Sequence, residues 1–291
     1  MYPNQNVPVN VKDFLNNPTR VQRVVSEMTK DKTIADYAFS QGGANNGAVV
    51  YDTVLGHPEA QDRDVEIIAP GAEFPQVGVL EEEQNTAKVD KYGGESELTY
   101  EAIRRNDQDT LMKRLTILRN LIIKRVNKVA VNSLITNPHI NKLVLTTDWE
   151  DTLADPLADI FSAKAVIDDN ELGYMSNLIL INPLDLQQYL LGKRSVREQL
   201  PRENAALNPV LAGDMGRLAD VEWIKTSTVP RGKLYVMERG VAGSIRDEEG
   251  GTQTNVYDLP GRQVKVVQGW RSIVPIITDP LAVTEVTGFA A

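Results

Sequence analysis

Three glutamates in a row, Glu81, Glu82 and Glu83, are the most conspicuous candidate ligands in this chain of 291 residues. A hard cation needs oxygens that converge on one point, and a linear run does not supply that. The run therefore reads as a solvated hairpin tip. The only histidines, His57 and His139, stand far apart in sequence, which gives neither a metal pair nor a histidine acid–base site. There is no cysteine, so disulfides, thiolate ligands and cysteine nucleophiles are excluded. Gly192-Lys193-Arg194 and Gly232-Lys233-Leu234 lack the glycine spacing and the hydroxyl residue of a phosphate loop. G-x-G-x-x-G, G-x-S-x-G and H-E-x-x-H are all absent. The sequence predicts no catalytic residue, no cofactor and no metal, and hence no enzyme.

The chemistry that remains is ion pairing. From Glu59 to Glu97 three basic residues stand against eleven acidic ones, a local net of −8 in a chain whose formal net charge is −9. From Asp107 to Leu134 six basic residues stand against Asp107 and Asp109, a net of +4. An acidic arm beside a basic rod suits one subunit reaching over the next. The candidate contact residues are Glu81, Glu82, Glu83, Lys88 and Lys91 on the arm. Lys113, Arg114, Arg119, Lys124 and Lys128 are their candidates on the receiving rod.

The elements that must position these charges can be read from spacing. Residues 1–58 are mixed in composition and predict an extended arm of low internal burial, with a short helix at Val21–Met28 and a brief strand at 48–51. The acidic segment predicts a hairpin. Strands at 65–68 and 74–79 lead to a tip at Glu81–Asn85, a strand returns through 86–92, and Gly93-Gly94 ends it. The rod is a helix from Asp107 to Leu134 with one apolar face: Leu111, Leu115, Leu118, Ile122, Val126 and Val129. At ~1.5 Å per residue it would span roughly 42 Å. Beyond it the pattern predicts a strand at 142–146, a helix at 156–168 begun by Pro156, and a buried strand at 177–182. A helix from Pro183 to Leu191 is closed by Gly192, a loop covers 204–216, and strands follow at 221–225 and 233–237. The C-terminal part is rich in strands, at 241–246, 256–271, 273–277 and 282–286, around an exposed turn at 247–255. Trp149, Trp223 and Trp270 are read as core or interface anchors.

Bulk composition bounds the class. Hydrophobic content of 42% and charged content of 24% are ordinary for a globular chain. The N-terminus shows no secretory signal, and no stretch approaches the ~18 apolar residues of a membrane span. The acidic balance argues against a dedicated nucleic-acid reader but suits a wall that encloses a polyanion without gripping it.

This order of parts resembles the major capsid protein of tailed double-stranded DNA phages, the Hong Kong 97 fold. The likeness is carried by Phe74-Pro75-Gln76-Val77, Ala87-Lys88-Val89-Asp90-Lys91-Tyr92-Gly93-Gly94, Leu98-Thr99-Tyr100-Glu101-Ala102-Ile103, Arg105-Asn106-Asp107 and the amphipathic rod. Gly269-Trp270-Arg271, Val274-Pro275-Ile276 and Asp279-Pro280-Leu281-Ala282-Val283 carry it at the end. The resemblance implies an α+β fold with an N-terminal arm (1–58) and an extended E-loop hairpin (59–97). It implies a peripheral P-domain (98–170 and 240–272) holding the spine helix, and an axial A-domain (171–239 and 273–291). It further implies hexamers and pentamers of one chain in an icosahedral head around double-stranded DNA, within a virion assembled in the host cytoplasm. The partners implied are further copies of itself, a separate scaffolding protein, a portal and a decoration protein, with no membrane. Some members of the family join an E-loop lysine to a P-loop asparagine, which here points to Lys88 or Lys91 and Asn255, with Asp258 or Glu248 assisting. That reaction needs a neutral amine. The carboxylates around Lys88 and Lys91 favour the charged form, so salt bridging is the expected role. Two other readings stay open: an encapsulin-like compartment around an enzyme cargo, and an unrelated enzyme using loops of the α+β lobe.

Overall fold

The computed structural model describes residues 10–29, 33–55, 67–73, 82–151, 154–170, 172–191, 217–218 and 221–290. Two sheets organise it. The first has the strand order β1–β10–β12–β11, with β4 on the other edge of β12. Its strands are β1 (Ser40–Gly43), β4 (Asp90–Thr99), β10 (Ser244–Asp247), β11 (Gln253–Leu259) and β12 (Val264–Ile276). β12 is the axis. It pairs antiparallel with β4 from Val264↔Thr99 to Ile273↔Asp90, and with β11 along the opposite side.

The second sheet has the order β5–β13–β9–β6–β8–β7. These are β5 (Asn141–Val144), β6 (Leu178–Ile181), β7 (Arg217–Leu218), β8 (Val221–Lys225), β9 (Lys233–Met237) and β13 (Val283–Thr287). β6 reads Leu-Ile-Leu-Ile and is buried at every position. A central strand covered on both faces needs no polar alternation. One face meets α6 (Pro156–Asp168) and the helical turns from α7 (Pro183–Asp185) through Leu191, around Trp149, Ile160, Ile167, Trp223 and Phe289. The other face joins the main core.

That core is built on α5 (Gln108–Thr136). Its buried positions are Leu111, Leu115, Leu118, Ile122, Val126, Asn127, Ala130, Val131 and Leu134, and it lies across β4 and β12. Asp107 caps it, accepting a hydrogen bond from the Thr110 backbone N–H at 2.9 Å. Gly269 makes the close approach possible, since a Cβ there would stand 3.1 Å from Ile122 and 3.3 Å from Leu118.

Three expectations are corrected. Residues 10–43 are not loosely packed. Helices α1 (Val11–Leu15), α2 (Pro18–Thr29) and α3 (Ile34–Ala38) bury Val11, Phe14, Leu15, Val21, Val25, Ala35 and Ala38 in the main core. Glu83 to Asn85 are not a tip. They lie inside β3 (Glu82–Lys88), which pairs antiparallel with β2 (Ala48–Val54). Gly93 and Gly94 do not end a strand, because β4 runs through them. A Cβ on Gly93 would meet Trp270 Cβ at 2.6 Å and the Gly269 oxygen at 2.7 Å, so glycine is needed for β4 to lie against β12 there. β5 pairs with β13 in the second sheet, α6 packs on that sheet, and β12 carries residues 273–276 into the first sheet. Ile67 and Ile68 carry no strand pairing. The strand expected at 74–79, the residues Glu81 and His57, Gly192 with its neighbours, and the loop at 204–216 lie outside the described residues.

Candidate inter-subunit interface

The rod carries a continuous cationic face. Between Thr110 and Thr136 there is no acidic residue and there are six basic ones. Two are engaged within the chain. Arg119 donates to its neighbour Asn120 at 3.0 and 2.6 Å, and Arg125 lies 4.9 Å from the centre of the Tyr92 ring. The other four, Lys113, Arg114, Lys124 and Lys128, are exposed. Among the described residues none of them has a carboxylate within ion-pair distance.

Helical periodicity puts Lys113, Ile117, Leu121, Lys124 and Lys128 on one stripe, opposite the face that packs on β4 and β12. Ile117 is 48% exposed and Leu121 60% exposed. The stripe is thus an apolar pair bracketed by cations, over roughly 22 Å of helix at ~1.5 Å per residue. Sequence reasoning missed Ile117 and Leu121 because it followed only the packed face. The signal was available: they are an i, i+4 apolar pair on the side where a solvated helix carries polar residues.

The acidic side is partly described. Glu83 is half-exposed, with a carboxylate oxygen 3.9 Å from His139 Nε2, just past the C-terminal end of α5. The Glu82 backbone continues the same strand. The root of this strand rests on its own subunit. Val89, Val274, Ile276 and Ala44 form a small apolar cluster beneath it, with Val49, Tyr51 and Ala87 packed against them. Burial and the nearby Glu83 push the Tyr51 phenol above its ordinary range. The acidic strand of one subunit therefore sits beyond the end of that subunit's cationic stripe and does not cover it.

Lys88 is exposed on β3. The Lys91 ammonium lies 4.1 Å from the centre of the Trp270 ring, a cation–π contact on the far side of β4. Trp270 also donates from Nε1 to Glu249 at 2.6 Å. Asn255 lies on β11 opposite Gln268, whereas Lys91 lies on β4 opposite Ser272. β12 separates the two, by about 10 Å across two ladder spacings and roughly 13 Å along the strand. Lys91 and Asn255 of one chain cannot meet. Asp258 is occupied otherwise, accepting from the Tyr100 hydroxyl at 3.3 Å and standing 3.6 Å from Lys265 Nζ. The Glu248 backbone N–H donates to the Ser272 carbonyl.

The tryptophans divide. Trp149 is core: it stacks on Phe289 at 4.4 Å and donates to Asp159 at 2.8 Å. Trp223 is buried on β8, and Trp270 is half-buried at the surface. Among the described residues no cluster of three metal-ligand side chains occurs, and no helix is long and apolar enough to cross a membrane.

The arrangement can do one thing well, which is to present cations that have no carboxylate partner among the described residues, around an apolar centre, to an acidic surface. Comparison with known proteins bears on the family and the fold. A family described as phage capsid protein matches residues 82–286, from the start of β3 into β13. No curated protein is similar in sequence. Among solved structures, the virus-like particle from Pyrococcus furiosus superposes with a TM-score of 0.60 at 11% identity, covering 92% of this chain and 98% of that one. The capsid of an empty GTA particle gives 0.61 at 10% identity, covering 87% and 88%. The Microbacterium phage Oxtober96 structure gives 0.59 at 13% identity, covering 86% and 89%. These likenesses show the fold, which is α+β and Hong Kong 97-like.

Proposed function

This chain belongs to the phage capsid protein family, and we propose that many copies of it close into an icosahedral phage head of hexamers and pentamers around double-stranded DNA. The observation that carries the reading is the family match, which runs unbroken through the rod and both sheets apart from β1. As a capsid-family chain it is a structural shell protein and a component of the virion. Assembly in the host cytoplasm, with a separate scaffolding protein, a portal and a decoration protein, belongs to the same proposal. So does the division into arm, E-loop, P-domain around the first sheet, and A-domain around the second.

Copies hold one another through charge. Glu81, Glu82 and Glu83 of one copy approach Lys113, Arg114, Lys124 and Lys128 of the next, with Ile117 and Leu121 at the centre. Arg119, already held by Asn120, contributes less. Lys88 and Lys91 act as salt-bridge donors. A covalent bond from Lys91 to Asn255 would have to join two copies. Cations on the rod that have no carboxylate partner among the described residues support this reading, since complementary charge steers one surface onto another. Reversing Lys124 and Lys128 to Glu tests it. The double variant remains folded by circular dichroism and fails to form normal shells under the microscope. Normal shells from that variant would defeat the pairing.

A second reading keeps the shell and changes its content, to a cellular compartment around a protein cargo. The likeness to the Pyrococcus furiosus virus-like particle favours it. Nuclease treatment of shells purified from the native source separates the two. Protected DNA supports the phage head, and a single co-purifying enzyme without DNA supports the compartment.

A further inference from the structure

We propose that residues 33–43, α3 and β1, are a releasable cross-brace that sets the angle between the two sheets. This segment is fastened to both. On the side of the first sheet, Arg271 of β12 donates to Asp36 from Nη1 at 2.8 Å and from Nη2 at 2.7 Å. β1 adds to β10 as a parallel strand, in register from Ser40↔Ser244 to Gly43↔Asp247. On the side of the second sheet, the Tyr37 hydroxyl donates to Glu222 of β8. Arg239, just past β9, lies 3.7 Å from the centre of the Tyr37 ring and donates from Nε to the Tyr37 carbonyl at 3.0 Å. Gly240 N–H donates to the Ala38 carbonyl at 2.9 Å. The rod between the sheets is tied in as well, since Asn127 accepts from the Ala35 backbone N–H at 3.2 Å.

The latch is built to open without stranding a charge. Arg271 is 7% exposed, and a buried cation left alone would be strongly unfavourable. It has a second carboxylate, however. Asp247 accepts from its Nε at 2.9 Å and from its Nη2 at 2.6 Å. Burial opposes the charge on Arg271, but hydrogen bonds to Asp247 and then Asp36 outweigh it and hold the guanidinium above its ordinary range. If Asp36 leaves, Arg271 stays paired with Asp247. A cavity of about 780 Å³ runs beside the segment, lined among others by Thr33, Gly43, Arg239 and Gly251, so one side of the brace is not walled in. α2, for its part, packs against α1, β11 and α5.

Hydrogen exchange on the full-length chain tests the brace. Asp36→Asn removes the charge of the latch while leaving the Arg271–Asp247 pair. It accelerates exchange by about tenfold or more in 33–43 and also across the junction, in β8 and in residues 238–243. Val21→Ala, an apolar truncation in α2, serves as the control and leaves β8 and 238–243 unchanged. Acceleration confined to 33–43 would overturn the proposal, as would the same spread from the control. If Asp36→Asn does not fold, Tyr37→Phe carries the same test, because it removes only the bond to Glu222. A second arm rests on the shell reading: particles of Asp36→Asn vary in diameter where native particles are uniform. Uniform particles of native size from the variant would remove the angle-setting role, whereas absence of particles from the native chain would instead count against the shell reading.

Discussion

Truncating Ile117 and Leu121 to Ala separates the packing role of the rod from its role between copies. Both side chains point away from the core, and about half of each remains in solvent. Burying a side chain of this type completely contributes about 1.5–3 kcal/mol. Half of that remains to be gained on assembly, so the pair contributes about 2 kcal/mol per contact, or roughly thirtyfold in the dissociation constant. Alanine is the best helix former, so the substitution does not weaken α5 through propensity. The expected result is a chain with a nearly native unfolding midpoint whose critical concentration for assembly, measured by light scattering against protein concentration, rises by tens of fold. Lys-to-Glu changes on the same stripe should slow association and make it more sensitive to salt, because charges at the edge of a contact steer encounter more than they hold it. A double alanine variant that folds and assembles at the native concentration would show that the stripe stays in solvent, and the argument from exposure would fail.

Other outcomes follow from the packing. Gly93→Ala should destabilise the chain by about 1–3 kcal/mol in denaturant melts, since its Cβ collides with Trp270. Gly94→Ala, whose Cβ would rest 3.5 Å from Leu118, should be near neutral; equal costs would mean the close approach at Gly93 is not real. Phe289→Ala removes the partner of Trp149 from a fully buried stack and should cost about 3–5 kcal/mol, read as a lowered midpoint with changed tryptophan fluorescence. The Asp107 carboxylate is held below the ordinary range by hydrogen bonds from the Thr110 N–H and hydroxyl. Its folded form is therefore the stronger acid, and its contribution is complete above about pH 4 and lost as pH falls through the depressed value. Asp107→Asn should flatten the stability–pH curve in that acidic window and leave its shape near neutrality unchanged.

Much of the fold was legible where packing is local and repetitive. The rod was expected at 107–134 and is a helix at 108–136, because an i, i+3, i+4 pattern over seven turns has no other use. The helix at 156–168 and the strands at 221–225 and 233–237 match their expected bounds, each marked by proline, asparagine or an apolar run. Pairing between distant segments was not legible. β3 reads Glu-Glu-Gln-Asn-Thr-Ala-Lys, without apolar alternation, and it is a strand because its backbone meets β2 from far earlier in the chain. Gly93-Gly94 looks like a breaker in one dimension and is a close-packing site in three. The helix expected at 21–28 is present as Pro18–Thr29, whereas the helix at Val11–Leu15 and the burial of both in the core were obscured by the polar residues between Val11, Phe14, Val21, Val25 and Met28. The cationic face of the rod was visible as charge. The exposed pair Ile117 and Leu121 on that face was also readable, as apolar residues four apart on the side away from the packed positions.

Electron cryo-microscopy of particles assembled from the native chain tests the central claim most directly. The account predicts closed shells in which the stripe from Lys113 to Lys128 of each subunit is covered by the Glu81–Glu83 segment of a neighbour, with Ile117 and Leu121 out of water. A chain that stays monomeric, or shells in which that stripe faces open solvent and every acidic segment lies on its own subunit, would contradict it.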